Sequence, residues 1–460
     1  MFGRFRNFHF IGIGGVGMCG IAEVLLNLGF KVTGSDIKSS DYTKRLEKQG
    51  AKIFTGHKAE NISGADVIIW SSAVSQSNPE LLSAKEKKIP VIRRAEMLAE
   101  LMRLKIGVAI AGTHGKTTTT SIVSLILANA GFDPTIVIGG KLNNIGSGAK
   151  LGKGNYLVAE ADESDGSFLK LFPQYSIVTN IDSDHLDHYG TLDILKNTFL
   201  TFIEKLPFYG LCAVCIDDMN IRDILPKISV RHTTYGLSKD AEFSIKNYKS
   251  DGLSSKFDVV FKNKNIGNIK LVVPGMHNVL NSLAAIAVTL ELGIDFKIIA
   301  DTLAEFRGVQ RRFQIKSDAN DMLIVDDYGH HPTEIAATLS AARSNWKRRI
   351  IAVFQPHRYT RTQLLAEEFG KSFKDADIII VTDIYAASEE PIPGVSSELI
   401  INSIKKNGNN TVIYKKTFDE IIDFTFSILK PGDIVLTLGA GNIWAVSEKL
   451  SKKIMSSKNS

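Results

Sequence analysis

Two glycine-rich loops constrain the fold of this chain more than any other feature, because each stands between an apolar strand and a helix. The first loop spans Gly12–Gly17 and the second spans Gly112–Thr117. We predict helices over residues 21–28 and 121–130 after them. Strands that lead through a glycine turn into a helix are typical of parallel sheets covered by helices on both faces. The sequence therefore predicts an α/β protein built on parallel sheets.

The chain of 460 residues suggests three domains, at about 150 residues per domain. We predict a Rossmann-like N-terminal domain over residues 1–104. A central mixed α/β domain of the P-loop ATPase type follows over 105–313, and a second Rossmann-like domain over 314–460. Between residues 242 and 273, short apolar runs separated by Asn/Gly turns predict antiparallel strands appended to the central domain.

Composition excludes several classes of protein. Hydrophobic residues make up 44% of the chain and charged residues 23%, which is ordinary for a globular protein. The net charge of +6 does not require a nucleic acid and suits anionic small substrates equally well. No apolar run reaches the roughly 18 residues of a membrane helix. We therefore expect a cytoplasmic protein with neither nucleic-acid nor membrane partners.

The three cysteines are too few for a disulfide framework in a chain of this length. Cys212 and Cys215 form a C-x-x-C in an apolar run. A redox or metal site is the alternative, but free cysteine commonly packs as a small hydrophobe. We therefore predict a buried strand there.

The first loop, Gly12-Ile-Gly14-Gly15-Val16-Gly17, has the spacing of a diphosphate-binding turn. Glycines permit a tight turn and let backbone amides approach a diphosphate at a helix N-terminus. Asp36 ends the next strand, where a ribose hydroxyl would be met. A turn that only permits close helix–sheet packing is the alternative. On this motif alone, an oxidoreductase that binds a nicotinamide nucleotide is a competing function.

The second loop, Gly112-Thr113-His114-Gly115-Lys116-Thr117-Thr118, predicts binding of a nucleoside triphosphate. Its glycines expose N–H groups, Lys116 would reach the β- and γ-phosphates, and the Thr117 hydroxyl would meet Mg²⁺. Ile110 stands where the usual spacing has a glycine, so the loop is a shortened variant. A GTPase or motor and a nucleotide-gated binding protein without turnover are competing functions. Against the first, no strand end carries convincing guanine specificity.

Two acidic clusters follow buried strands of the predicted central sheet. The first begins at Glu160, and the second runs from Asn180 to His188 and includes His185. Open α/β sheets bind ligands at the carboxyl ends of their strands. Carboxylates and an imidazole beside a triphosphate suit Mg²⁺ or Mn²⁺, whereas a solvated acidic turn is the alternative. We expect His188 at the surface rather than on a metal.

The two loops and the acidic clusters, in this order, resemble the Mur ligases, the ATP-dependent ligases of peptidoglycan precursor synthesis. Further segments of the same pattern extend the resemblance over nearly the whole chain: Pro274–Ala285, Phe306–Phe313, Asp326–Glu334, Phe354–Thr362 and Leu438–Trp444. One segment alone could arise by chance. So many in register are hard to explain otherwise.

The resemblance implies that the first loop binds a UDP sugar and not a nicotinamide nucleotide, through Gly12, Gly14, Gly15, Val16, Gly17 and Asp36. It implies that ATP is bound by Gly112, Thr113, His114, Gly115, Lys116, Thr117, Thr118, His277, Asn281 and Arg312. Within that set, His277 and Asn281 would contact the adenine and Arg312 the γ-phosphate. Mg²⁺, or alternatively Mn²⁺, would be held by Thr117, Glu160 and His185, with Glu163 as a weaker candidate ligand.

The C-terminal segments would close over an amino acid held by Tyr328, His357, Arg358 and Arg361. The implied reaction joins L-alanine to the lactyl carboxylate of UDP-N-acetylmuramate through an acyl phosphate. A related ligase that attaches a ready-made peptide to the same sugar is the alternative. The resemblance implies catalytic roles for Lys116, Arg312, Asp327, His330 and Arg358. We expect a monomer or a homodimer.

The alanine amine must lose a proton before it attacks, and His330 or Asp327 is a plausible base. Each of these residues has an identical neighbour, in the pairs Asp326/Asp327 and His330/His331. Packing of one or more members of these pairs is an equally good reading of the sequence.

Overall fold

The computed structural model describes residues 2–71, 73–138, 149–408 and 411–456. The chain divides into two compact units. Unit 1 comprises Met1–Tyr248, Phe257–Lys270 and Leu280–Phe306, and unit 2 comprises Lys249–Lys256, Leu271–Val279 and Arg307–Ser460. The strands form three sheets.

The first sheet has five parallel strands in the order β3-β2-β1-β4-β5, which is a dinucleotide-binding order. The strands are β1 (Asn7–Ile11), β2 (Lys31–Asp36), β3 (Lys52–Thr55), β4 (Val67–Trp70) and β5 (Val91–Arg93). The helices are α1 (Val16–Asn27), α2 (Asp41–Lys48), α3 (Pro79–Glu86) and α4 (Arg94–Met102). Helix α1 begins earlier than predicted. The glycines of its first turns lower the helix propensity, but Met18 and Cys19 in these turns are buried, and their packing stabilises the helix there.

The second sheet has ten strands in the order β15-β14-β13-β12-β11-β10-β6-β9-β7-β8. They are β6 (Ile106–Ala111), β7 (Thr135–Val137), β8 (Ala149–Lys150), β9 (Tyr156–Glu160), β10 (Tyr175–Val178), β11 (Leu211–Cys215), β12 (His232–Tyr235), β13 (Phe243–Asp251), β14 (Ser254–Phe261) and β15 (Lys264–Leu271). The helices are α5 (Lys116–Asn129), α6 (Leu186–Tyr189), α7 (Leu192–Ile203), α8 (Met219–Ile224), α9 (Met276–Glu291) and α10 (Phe296–Glu305). Strand β6 lies inside this sheet, between β10 and β9, and its residues Val108, Ala109, Ile110 and Ala111 are fully buried.

The third sheet has six strands in the order β16-β17-β21-β18-β19-β20. They are β16 (Gln314–Ala319), β17 (Met322–Asp327), β18 (Arg349–Phe354), β19 (Ile378–Val381), β20 (Thr411–Tyr414) and β21 (Asp433–Leu438). The helices are α11 (Pro332–Asn345), α12 (Tyr359–Leu364), α13 (Ala366–Ser372), α14 (Glu398–Asn407), α15 (Phe418–Ile428) and α16 (Trp444–Ser456). Only β16, among these strands, pairs antiparallel with its neighbour.

The C-x-x-C segment lies in β11, as predicted. Cys212 and Cys215 are both buried, and burial raises the pKa of each thiol to about 12. Neutral, buried thiols of this kind pack as apolar side chains. In the described part of the chain, no helix combines the length and the apolar character needed to cross a bilayer.

A buried carboxylate ties the helices of the first sheet to its strands. Glu80, at the start of α3, is fully buried. Its oxygens accept hydrogen bonds from Ser35 Oγ at 2.6 Å and from Asn61 Nδ2 at 2.6 Å, and His9 Nε2 lies 3.2 Å away. Burial raises the pKa of this carboxyl, but the hydrogen bonds from these partners outweigh burial and the pKa is lowered.

Glu80→Gln is expected to lower the free energy of unfolding by about 1–3 kcal/mol at neutral pH, since it leaves buried donors without their acceptor. Because the folded-state pKa is depressed, the contribution of the carboxylate is present above the unfolded pKa and is lost as pH falls through the folded pKa. Urea unfolding at neutral and acidic pH should therefore show a difference from wild type that shrinks in acid. Glu86→Gln, an exposed change on the same helix, is the control. A pH-independent difference would contradict this account.

Candidate active site

The first glycine loop joins β1 to α1 and is held by the end of β2. The amide of Gly12 donates to Ser35 O at 2.8 Å, and the amide of Gly14 donates to Asp36 Oδ2 at 2.8 Å. Asp36, predicted to meet a ribose, thus also fixes the shape of the loop. Because α1 begins at Val16, the positive end of its dipole lies at the loop, as anion binding requires.

An arginine lies beside this loop that the sequence analysis did not identify. Gly15 is the N-cap of α1, and a Cβ on Gly17 in the first turn would lie 3.0 Å from Arg94 Nη1. Arg94 Nη2 lies 3.4 Å from Asp162 Oδ2. Arg94 stands in an ordinary helical pattern with no motif around it, so no signal in the sequence pointed to its place.

The second glycine loop joins β6 to α5 and is anchored on the segment that follows β10. Thr179 Oγ1 donates to His114 O at 2.6 Å, and the amide of His114 donates to Asn180 Oδ1 at 2.8 Å. The amide of Asp182 donates to Thr113 Oγ1 at 2.9 Å. The second predicted acidic cluster therefore supports the loop directly, a role that was not foreseen for Thr179 or Asn180.

Two positions of this loop require glycine. Gly112 has φ +128° and Gly115 has φ +84°, a region that favours glycine. A Cβ on Gly112 would collide with Thr179 Oγ1, and one on Gly115 would lie 2.5 Å from Asn281 Oδ1. The structure thus brings Asn281, from α9, next to the predicted phosphate loop.

Lys116 is the first residue of α5 and its side chain turns back into the loop. Its Nζ donates to Gly112 O at 2.6 Å and to Thr113 O at 3.2 Å, and lies 2.8 Å from Glu163 Oε2. Burial lowers the pKa of Lys116, but the negative charges of Glu163, Asp162 and other nearby carboxylates raise it by more than burial lowers it. The pKa is therefore raised overall, and the ammonium form is favoured. Burial raises the pKa of Glu163 to about 7.

The three predicted metal ligands follow neighbouring strands of the second sheet. Thr117 follows β6, Glu160 ends β9, and His185 follows β10, and these strands are adjacent in the order β10-β6-β9. They therefore lie along one edge of the sheet. His185 adopts φ +57° and caps α6, and its amide donates to Asp184 Oδ1 at 3.0 Å. Thr118, next in α5, is buried.

This edge carries an excess of negative charge. The carboxylates of Glu160, Asp162 and Glu163 all act on the Lys116 ammonium, and Arg94 is the second cation near them. These three carboxylates outnumber the two cations in negative charge at pH values above the raised pKa of Glu163, about 7. Together with a hydroxyl and an imidazole, this donor set fits a divalent cation that prefers oxygen ligands.

In unit 2, the end of β17 carries the predicted catalytic Asp327. Its Oδ2 accepts the amide of Phe313 and its Oδ1 the amide of Gly329, both at 2.7 Å. Burial raises the pKa of this carboxyl. Both oxygens hold backbone groups, which favours a role in fixing the site over a role as base. Next to it, Asp326 is buried and lies 3.1 Å from Arg311 Nε.

The guanidinium groups of Arg311 and Arg312 lie 5.0 and 5.2 Å from the centre of the Tyr328 ring. Arg312 also donates to Glu334 at 3.3 Å. His277, at the start of α9, lies in the same unit. Its pKa is lowered to about 4, mainly by burial and to a smaller extent by the positive charge of Arg312. The imidazole of His277 is therefore neutral at physiological pH.

The imidazole rings of His330 and His357 lie 5.6 Å apart in unit 2. His330 Nδ1 lies 3.1 Å from Tyr328 O, and because a carbonyl only accepts, this nitrogen carries the proton. Arg361 Nη1 lies 3.3 Å from His357 Nδ1. Arg358, which precedes α12, adopts φ +71°. The structure thus brings His357 and Arg361, predicted to bind the amino acid, next to His330, predicted to be catalytic.

A triphosphate-type loop in the middle sheet, with Rossmann-type sheets before and after it in the chain, defines a multidomain nucleotide-dependent α/β enzyme. Family models agree with this class. Those of the Mur ligase family match the catalytic domain over residues 7–106, the middle domain over 110–289 and the glutamate ligase domain over 311–441. The chain belongs to the Mur ligase family, and the predicted three-domain α/β fold is confirmed.

Relatives cover essentially the whole chain. The UDP-N-acetylmuramate–L-alanine ligase of Geotalea uraniireducens is 56% identical over 454 residues, 99% of each chain. That of Geobacter sulfurreducens is 54% identical over 99% of each. The crystal structure of the UDP-N-acetylmuramate–alanine ligase of Thermotoga maritima has a TM-score of 0.82 at 30% identity and covers 98% of this chain and 99% of its own.

Proposed function

We propose that the protein is an ATP-dependent ligase that joins L-alanine to the lactyl carboxylate of UDP-N-acetylmuramate in peptidoglycan precursor synthesis. The observation that carries this proposal is the loop Gly112–Thr118, with its half-buried Lys116, in a chain whose full-length relatives bear the name of this activity. ATP is cleaved to ADP and phosphate. The use of ATP and a UDP sugar is expected in the cytoplasm.

The first chemical step is the attack of the lactyl carboxylate on the γ-phosphorus, which forms an acyl phosphate and releases ADP. Two anions must approach each other, so positive charge has to be supplied in a site that excludes water. Lys116 supplies it from within the loop, and Arg312 is proposed to act on the γ-phosphate. The anchoring of the loop on Thr179 and Asn180 fixes the backbone from which Lys116 reaches the phosphates.

We propose that Thr117, Glu160 and His185 hold Mg²⁺, with Mn²⁺ as the alternative. When bound, the ion supplies charge neutralisation for the phosphate oxygens. The residues of the chain prepare its place by grouping three carboxylates at one edge of the sheet. Glu163 is committed to Lys116 in this structure, which favours Glu160 over Glu163 as the ligand.

The sugar nucleotide is proposed to bind at the first glycine loop. The amides at the start of α1 face its diphosphate, and Asp36 is placed at the loop for the ribose. The nearby guanidinium of Arg94 adds positive charge. A nicotinamide oxidoreductase, which the same motif would allow, leaves the phosphate loop and its acidic edge without a role.

The second chemical step is the attack of the alanine amine on the acyl carbon, which forms the amide and expels phosphate. The amine must first lose a proton. His330 Nδ1 lies 3.1 Å from Tyr328 O and 3.3 Å from Glu334 Oε2, two acceptors that favour the proton on Nδ1. A neutral ring in this tautomer would have its basic lone pair on Nε2. We propose His330 as this base, with Tyr328, His357, Arg358 and Arg361 holding the amino acid.

The test is phosphate release from ATP in the presence of UDP-N-acetylmuramate, screened against single amino acids and short peptides. L-Alanine is expected to give the fastest release together with a product whose mass is that of the sugar nucleotide plus alanine minus water. Release that depends on a peptide and not on alanine would favour the related peptide ligase. Turnover without any amino acid would overturn the proposal.

The pair Lys116–Glu163 leads to a prediction about ATP affinity. The Lys116 ammonium is held by the Glu163 carboxylate, which a bound triphosphate must replace. Glu163→Gln removes this competing negative charge, so we expect the Kd for ATP, measured by calorimetry at a pH above the Glu163 pKa of about 7, to fall by about three- to tenfold. Glu47→Gln, an exposed change in α2, should leave it unaltered. Weaker binding that appears only with Mg²⁺ would instead make Glu163 a metal ligand.

A further inference from the structure

Two loops at the carboxyl end of the third sheet are joined by hydrogen bonds in unit 2. The first follows β18, carries His357 and Arg358, and leads into α12, which contains Arg361. The second follows β19 and contains Tyr385. The amide of Arg358 donates to Tyr385 O at 2.8 Å, and the amide of Tyr385 donates to Pro356 O at 2.8 Å. His357 and Tyr385 thus form a parallel bridge.

A glutamate of the second loop reinforces this connection. Glu389 accepts the amide of Thr360 at 3.1 Å and its hydroxyl at 2.6 Å. Between Tyr385 and Glu389 the chain turns through two non-glycine residues with positive φ, Ala387 at +49° and Ser388 at +72°. Side chains other than glycine hold such a conformation only when the surroundings impose it. The second loop is therefore positioned firmly against the first.

The Tyr385 ring is held between His357 and a glycine. Its plane is nearly parallel to that of His357, at 12° with the centroids 5.6 Å apart. A Cβ on Gly441, which follows β21, would lie 2.7 Å from Tyr385 Cγ. Tyr385 is 39% exposed, so the residue borders an open space. It extends the row of rings formed by Tyr328, His330 and His357.

We infer that Tyr385 is a specificity-determining residue that limits the side chain of the amino-acid substrate to a small group. The inference rests on the proposed function, which places the amino acid beside His357. An aromatic ring at that position occupies the volume that a longer side chain would need. The loop contacts through Arg358 and Thr360 fix the backbone that carries Tyr385, and the His357 ring and Gly441 flank its side chain.

The test compares L-alanine with L-2-aminobutyrate, which is longer by one methylene, as substrates of the full-length enzyme. In Tyr385→Ala, the preference for L-alanine, taken as the ratio of the two kcat/KM values, is expected to fall by about tenfold or more. Tyr385→Phe keeps the ring and should keep the preference. The KM for ATP should change in neither variant, because the site for ATP is built from other residues.

A variant that only loses stability would lower activity with both amino acids in parallel and leave their ratio unaltered, which would overturn the inference. If Tyr385→Ala does not fold, Tyr385→Leu provides a flexible, smaller side chain, and an unaltered ratio in that variant has the same meaning. Tyr209→Ala, at an exposed tyrosine of unit 1, is the matched control. Failure of the wild-type enzyme to use L-alanine would overturn the proposed function and this inference with it, and is distinct from an unaltered ratio.

Discussion

Replacement of Lys116 by alanine is expected to reduce ATP-dependent ligation by about a thousandfold or more, since it removes the charge aimed at the transferred phosphate. Its loss also leaves the Glu163 carboxylate buried without its cation. Phosphate release measures the first effect, and calorimetry with UDP-N-acetylmuramate should show sugar-nucleotide binding largely retained. Lys239→Ala, at an exposed lysine, should behave as wild type.

The outcome that would contradict this expectation is an equal loss of ATP and sugar-nucleotide binding in Lys116→Ala that folds normally. It would mean that the two glycine loops do not form separate sites. Retained ligation would be equally damaging, because no other lysine stands at the phosphate loop in the pattern that the motif requires.

Replacement of Gly112 by alanine is expected to abolish ATP binding and to lower the free energy of unfolding by about 2–4 kcal/mol. The new methyl group would meet Thr179 Oγ1 and would lie 2.9 Å from the Thr179 backbone nitrogen, which cannot move without disturbing β10. Calorimetry with ATP and urea unfolding measure the two effects.

Gly29→Ala is the control that separates the backbone strain of a positive φ from the steric collision of the added methyl group. Gly29 also has a positive φ, +85°, but nothing lies within 4 Å of its added Cβ. We expect this control to lose only about 1–2 kcal/mol, the cost of a left-handed alanine, and to bind ATP normally. If both variants bound ATP equally, the fit of the phosphate loop against Thr179 would not matter for nucleotide binding.

Much of the fold could be predicted from the sequence, because buried parallel strands have a strong apolar signal. Strand β6 is such a case. Strand β16 was missed because Gln314–Ala319 is mostly polar. The strand lies at the edge of its sheet, where a strand is less buried than an interior one and so has a weaker apolar pattern. The start of α1 at Val16 was placed too late, since glycines lower helix propensity while burial of that turn overrides it.

Residues of the candidate site could be predicted where they stand in a sequence motif. Residues whose role depends on a contact with a distant part of the chain could not be predicted. Lys116 stands in a motif, but its partner Glu163 had been considered only as a secondary metal ligand, and nothing in the spacing joins the two. Tyr385 lies in a loop without a motif, so only the sheet topology shows that it meets His357. The assignments of individual ligands stay predictions until the variants are measured.

The ammonium of Lys116 joins two carbonyls of the phosphate loop to the Glu163 carboxylate. One cation therefore links the backbone of the loop to the acidic edge of the sheet. An anion that binds this ammonium does so in competition with a carboxylate already beside it, so the loop selects for anions that carry enough charge to displace that carboxylate.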